Sequence, residues 1–165
     1  MSATVCLPGD FSSLSFNPTQ GVSDDFAKLA NAAKSFRQYL ARANVAYGHI
    51  AEISQAIDHA ASFAGIENWD EEGALPVSQH TVSLAKRFAS ALPSDIEVPE
   101  IYADSHGELT FEWRSGKGRI VAISIYPNGT IGYSSLIGAS KVYGWENFVS
   151  SIPAMLIHRI ARIYS

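Results

Sequence analysis

Cysteine is nearly absent from this chain of 165 residues, which contains only Cys6. A single thiol can form neither an internal disulfide nor a cysteine-rich metal site, and it is typical of a protein from a reducing compartment. No apolar run approaches the roughly 18 residues that indicate a membrane-spanning helix. The first residues also lack a basic segment followed by an apolar one, as a secretion signal would have. We therefore expect a cytoplasmic protein that crosses no membrane.

Positive charge is also scarce, because 12 lysines and arginines stand against 16 aspartates and glutamates, which gives a net charge of −4. This balance excludes a strongly basic protein that coats nucleic acid. The acids are concentrated in residues 67–112, which hold ten acidic and two basic side chains. Residues 113–165 have the opposite balance, with six basic side chains and one acidic one. Such a dipolar chain can steer different partners to different surfaces.

The motifs of several enzyme classes are missing as well. The sequence has no His-x-x-x-His pair for zinc, no Gly-x-Ser-x-Gly elbow of a serine hydrolase and no glycine-rich dinucleotide fingerprint. The segment Gly116-Lys117-Gly118 lacks the spacing of a phosphate-binding loop. The sequence thus predicts neither a cofactor nor a metal site.

Hydrophobic spacing predicts helices in the first part of the chain. Residues 1–23 are rich in Ser, Thr, Pro and Gly without any period, so we expect a flexible arm there. Apolar residues then recur every three or four positions over 24–64, which predicts one long helix or, if Gly48 breaks it, a helical hairpin. A short helix capped by Ser78 follows and ends before Pro93. Residues 24–92 are therefore predicted to be mainly helical.

The period changes from about 3.6 to two from Val98 onward, which indicates β-strands. Alternating segments are separated by glycine-rich turns such as Asn128-Gly129, and these connections are too short for crossover helices. Residues 98–165 are thus predicted to form an antiparallel β-meander of four or five strands and a C-terminal helix. The predicted fold class is α+β, with residues 24–165 as a single domain and helices on one face of the sheet.

The most distinctive segment is an acidic loop that holds four carboxylates within six residues, namely Glu67, Asp70, Glu71 and Glu72. We interpret Asp70 as a cap for local backbone N–H groups and Gly73 as a turn residue with positive φ. The alternative is a metal-dependent hydrolase or nuclease that uses the carboxylates of residues 67–72, with His80 as a further candidate. The spacing does not match a calcium-binding loop.

This loop also carries a resemblance. The run from Asn68 to Ala74, Asn-Trp-Asp-Glu-Glu-Gly-Ala, resembles the Asn-Trp-Asp-Gly-x-Gly-Ala loop of a family of small, uncharacterised bacterial proteins. The similarity spans about residues 66–160, and it departs from the motif at Glu71, where the family usually has glycine. The resemblance implies a gene that lies among mobile elements, prophages and defence or toxin–antitoxin genes. It assigns no catalytic residue.

A basic hairpin is the other candidate site. Arg114, Lys117 and Arg119 surround one predicted turn beside Trp113, and basic and aromatic side chains together can hold single-stranded nucleic acid. However, Trp113 alternates with Leu109 and Phe111 and is predicted to face the core. We do not expect nucleic acid to be the main partner, because affinity for phosphates usually requires more positive charge than this.

Together these features favour a non-enzymatic protein–protein interaction module of bacterial or phage origin. Its most concrete form is an inhibitor of a host defence complex (an anti-CRISPR) or an antitoxin-like protein. The loop residues Glu67, Asp70, Glu71 and Glu72 would face a basic surface on the partner. The apolar stripe of the long helix additionally predicts a homodimer, since an uncovered stripe tends to find a partner.

Overall fold

The computed structural model describes residues 24–165, except for the side chains at 24–26, 42 and 44–46. The predicted flexible arm, residues 1–23, lies outside this range. The described elements follow the chain in the order α1 (Asp24–Phe63), α2 (Gln79–Ala91), β1 (Glu100–Ala103), β2 (Leu109–Arg114), β3 (Arg119–Ile125), β4 (Thr130–Ile137), β5 (Ser140–Asn147) and α3 (Ala154–Ile163). The predicted α+β class is confirmed. Within this range, no helix is long and apolar enough to cross a membrane.

Of the two alternatives for the first segment, the structure has the long helix. Residues 24–63 form one α-helix that continues through Gly48, because a single glycine costs only about 1 kcal/mol relative to alanine. The chain divides into two compact units, one that ends at Ala41 and one that comprises Arg42–Ser165. In the first unit, all described side chains of α1 are exposed. The prediction of one domain over 24–165 stays a prediction.

The start of α2 shows the predicted capping. Ser78 is the N-cap, and its Oγ accepts a hydrogen bond of 3.1 Å from the backbone N–H of Thr81. Val77 and Val82 flank the cap and are both buried, as a hydrophobic staple requires. This arrangement fixes the angle at which the acidic loop enters α2.

The sheet is a simple meander in the order β1-β2-β3-β4-β5, and all neighbouring strands are antiparallel. Its inner face carries the predicted apolar residues, with Phe111 opposite Ile123 and Trp113 opposite Val121. These side chains pack into one buried core with residues from the second unit's part of α1 and from α2 and α3, namely Ile53, Ile57, Phe88, Leu156 and Ile160. Burial of each such side chain stabilises the fold by about 1.5–3 kcal/mol.

The opposite side of the sheet, here called the outer face, has a different composition. Among the described residues, the apolar core draws only on the inner face of the sheet, and most side chains of the outer face are partly or fully exposed. The register of the strands places on the outer face Glu100, Tyr102, Thr110, Glu112, Arg114, Ile120, Ala122, Ser124, Gly132, Ser134, Leu136, Lys141, Tyr143 and Trp145.

Candidate functional site

The acidic loop is held in shape by its own polar groups. The Oδ1 atom of Asp70 accepts hydrogen bonds of 2.9 Å from the backbone N–H groups of both Glu72 and Ala74. The Oδ1 atom of Asn68 accepts a bond of 2.7 Å from the N–H of Gly73, whose φ is +98°. Asp70 is therefore a capping residue, as the sequence suggested, and Gly73 takes the expected turn conformation.

Trp69 anchors the loop to the rest of the second unit. Its Nε1 donates to the carbonyl of Leu75 at 3.2 Å, and its ring meets Phe63 edge to face with centroids 5.6 Å apart. The backbone N–H of Leu75 in turn donates to the carbonyl of Ser105 at 2.8 Å. The loop is thus fastened to the end of α1 and to the turn between β1 and β2.

The four carboxylates have different roles in this loop. The backbone N–H groups of Ala74 and Glu72 hold the pKa of Asp70 below its usual value, because they stabilise the ionised form. Glu67, Glu71 and Glu72 are exposed. The groove of about 230 Å³ beside Trp69 is lined by residues such as His59, Ile101 and Tyr102 and by none of the four carboxylates.

The geometry gives the hydrolase alternative no support. Among the described residues, no three His, Cys, Asp or Glu side chains are grouped so that they could hold a metal ion. His80, the further candidate for this chemistry, lies exposed in the first turn of α2. The Oδ1 atom of Asp70, the carboxylate that would act on a substrate, already accepts hydrogen bonds from two backbone donors.

Glu71 has an unusual backbone conformation, with φ of +65°. This left-handed region costs a residue with a Cβ about 1–2 kcal/mol and glycine almost nothing. Glycine would therefore adopt this backbone conformation more readily than glutamate does.

We predict that Glu71→Gly raises the free energy of unfolding by up to about 1 kcal/mol, because relief of the left-handed strain outweighs the extra entropy of glycine in the unfolded chain. Urea denaturation followed by circular dichroism measures this change. Glu72→Gly is the matched control, since it removes the same charge from a neighbour without positive φ. Equal losses of stability in the two variants would contradict the assignment of strain to Glu71.

The structure does not bring the basic hairpin together as one surface. By strand register, Arg114 lies on the outer face and Arg119 points to the opposite side of the sheet. Arg114 is also paired with Glu112, with 3.1 Å between its Nε and the carboxylate oxygen. Trp113 is 1% exposed and therefore unable to stack on a base. Lys117 lies at the exposed tip of the turn, and the described contacts give it no ion pair or hydrogen bond.

The outer face contains a groove of about 250 Å³ that sequence reasoning missed. Its floor is made of small residues on β3 and β4, and its wall is made of Tyr126, Tyr143 and Trp145. The rings of Tyr126 and Trp145 lie 5.1 Å apart and fold over Gly132, where a Cβ atom would come within 2.9 Å of the indole. The glycine thus allows the two rings to lie close to the sheet.

Carboxylates occupy the β1–β2 side of the same face. The hydroxyl of Tyr102 donates to Glu112 at 3.2 Å. Burial, together with the negative charge of Glu112, raises the pKa of Tyr102 to about 12. Burial also raises the pKa of Tyr126, with smaller contributions from the charges of Glu108 and Asp104. This side of the outer face therefore carries more carboxylates than basic side chains.

Glu108 is the least solvated carboxylate here, with a side chain only 5% exposed. Its Oε2 atom is buried and has no hydrogen-bond partner, and its Oε1 atom lies 3.9 Å from Nδ1 of His106. The sequence does indicate which residues lie on the outer face, because they alternate along each strand with the core positions. Their mixture of small, aromatic and acidic types does not show which of them meet in space.

Comparison with protein-family models, with curated proteins and with solved structures finds no match. The fold and the two sites define an α+β protein with an open, partly acidic sheet face and a preformed acidic loop.

Proposed function

We propose that this protein is a non-enzymatic protein–protein interaction module that binds a positively charged partner surface through its acidic loop. The observation that supports this most is the use of the Asp70 carboxylate inside the loop. This internal bonding leaves Glu67, Glu71 and Glu72 exposed on a preformed turn. A preformed surface loses little conformational entropy when it binds, which favours affinity.

Electrostatics supports the same proposal. The acidic residues of 67–112 provide a field that speeds encounter with a basic surface and disfavours acidic competitors. The resemblance to proteins of mobile elements favours a bacterial or phage origin, and the single cysteine favours a cytoplasmic location. An inhibitor of a defence complex (an anti-CRISPR) and an antitoxin-like protein are the two specific forms of this proposal.

Co-purification with candidate CRISPR effector complexes and toxins tests the proposal. We expect the wild type to form a stable complex with one of them and the double variant Glu71→Lys/Glu72→Lys to lose it, because like charges then face each other. Glu52→Lys/Asp95→Lys is the matched control, since it makes the same change in net charge at exposed residues elsewhere. Absence of any complex, or equal loss in both double variants, would count against the loop as the interface.

We also propose that two copies of the chain associate through the first half of α1. Leu29, Ala33, Phe36 and Leu40 are spaced by four, three and four residues, which is the spacing of a coiled-coil seam. Leu29 is 68% exposed and Phe36 is 62% exposed. A second copy presents the same seam, so it is the partner that this repeat suits best.

Multi-angle light scattering measures the oligomeric state. We expect a dimer for the wild type and a monomer for Leu29→Glu/Phe36→Glu, because each glutamate would be buried without a partner in the seam. Asn31→Glu/Gln38→Glu adds the same charge to exposed positions outside the seam and should stay dimeric. A monomeric wild type at high concentration would rule out this association.

A further inference from the structure

We propose that the outer face of the sheet is a second binding site, which takes an arginine- or lysine-bearing extended segment of a protein partner. This site is separate from the acidic loop and does not depend on it. The basic side chain would pair with Glu108 and lie against the ring of Tyr126, and the segment would continue over the aromatic wall formed by Tyr143 and Trp145.

The strand register places the two essential groups side by side. The backbone N–H of Asp104 donates to the carbonyl of Glu108 at 3.0 Å, so these residues are paired across the turn between β1 and β2. Leu109 is paired with Ile125, Glu108 immediately precedes β2, and Tyr126 immediately follows β3. Since neighbouring strands are about 4.8 Å apart, one long basic side chain can contact both Glu108 and Tyr126.

The burial of Glu108 supports a binding site on this face independently of the groove. Its side chain is 5% exposed, and its Oε2 atom has no hydrogen-bond partner among the described residues. A buried carboxylate oxygen without a hydrogen-bond partner destabilises a fold, so its presence favours a role in binding. The exposed ring of His106, which contacts Ser105 Oγ at 3.2 Å, is the group that an incoming cation would displace.

The charge and shape of the outer face favour a cationic, extended segment as the ligand. Glu100, Asp104 and Glu108 lie on one side of the face, where Glu112 is already paired with Arg114, and aromatic rings lie on the other. Carboxylates and aromatic rings together stabilise a cation through ion pairing and cation–π contact. The same carboxylates repel a phosphate backbone, which disfavours nucleic acid on this face. The shallow floor of small residues admits an extended backbone.

Fluorescence anisotropy with a labelled, alternating Gly-Arg octapeptide tests the site in the full-length protein. We expect the wild type to bind the peptide and Glu108→Gln to bind it about tenfold more weakly, because a charge-assisted hydrogen bond is lost. Trp145→Ala, which removes a largely exposed ring, should also weaken binding. The matched control is Glu67→Gln/Glu72→Gln, which removes two loop charges and should change affinity less than Glu108→Gln.

Thermal unfolding of the same variants separates binding from folding. We expect Glu108→Gln to melt at a higher temperature than the wild type, since it removes a buried charge whose Oε2 atom has no hydrogen-bond partner. No binding of the Gly-Arg peptide, equally strong binding of a Gly-Glu peptide or an oligothymidine, or an equal effect of the loop control would each overturn the proposal. The peptide assay uses only the purified protein, so its failure leaves the proposal for the acidic loop intact.

Discussion

Trp113→Ala should lower the free energy of unfolding by about 3–5 kcal/mol, which is the range for removal of a buried aromatic side chain. Trp113 is 1% exposed, stacks on Phe111 with ring centroids 6.3 Å apart and donates from Nε1 to the carbonyl of Glu97 at 2.7 Å. The substitution therefore creates a cavity and leaves the Glu97 carbonyl without this donor. Whole domains are stable by only about 5–15 kcal/mol, so this loss is a large share of the total stability.

Urea denaturation followed by circular dichroism measures this loss. Trp145→Ala is the matched control, because Trp145 is 63% exposed on the outer face, and we expect a change below about 1 kcal/mol. A similar loss in both variants would show that Trp113 is not in the core. It would also remove the structural argument against nucleic-acid stacking at the basic hairpin.

Gly107→Ala should cost about 2–4 kcal/mol, since it combines backbone strain with a steric collision. Gly107 has φ of +78°, and a Cβ atom there would lie 2.9 Å from the backbone oxygen of Pro76. This contact is where the turn between β1 and β2 meets the end of the acidic loop. The variant should therefore loosen the loop as well as lower the stability.

Gly129→Ala provides the control for Gly107→Ala. Its φ of +84° gives a similar strain, but nothing lies within 4 Å of the added Cβ, so we expect a loss of only about 1–2 kcal/mol. The difference between the two variants in a urea denaturation curve measures the collision alone. Equal losses would mean that the loop does not lie against this turn.

Much of the fold was predictable because its signals are local in the sequence. The alternation of Leu109, Phe111 and Trp113 with polar residues predicted both a strand and its buried face, and Asn128-Gly129 predicted a tight turn. The cap formed by Ser78 followed from the residue type and its position before an apolar period. The choice between a long helix and a hairpin around Gly48 was not predictable, because the penalty of one glycine is small.

The candidate sites were less predictable, because they depend on strand register. The capping role of Asp70 followed from its place near Gly73 in a loop. In contrast, Glu108 and Tyr126 are 18 positions apart in the sequence and become neighbours only when β2 pairs with β3. Likewise, Arg114 and Arg119 are close in sequence and point to opposite sides of the sheet. Proximity along the chain therefore did not predict which residues lie together on the outer face or at the basic hairpin.

The most direct test of the central claim is a phage-protection or toxicity assay that compares two changes in the acidic loop. Asp70→Asn keeps an oxygen that can accept the bonds from Glu72 and Ala74, so a binding module should retain its effect. Glu71→Lys/Glu72→Lys reverses the displayed charge and should abolish the effect. Loss of the effect in a folded Asp70→Asn variant, with the charge reversal silent, would contradict a binding role and favour catalysis by the loop carboxylates.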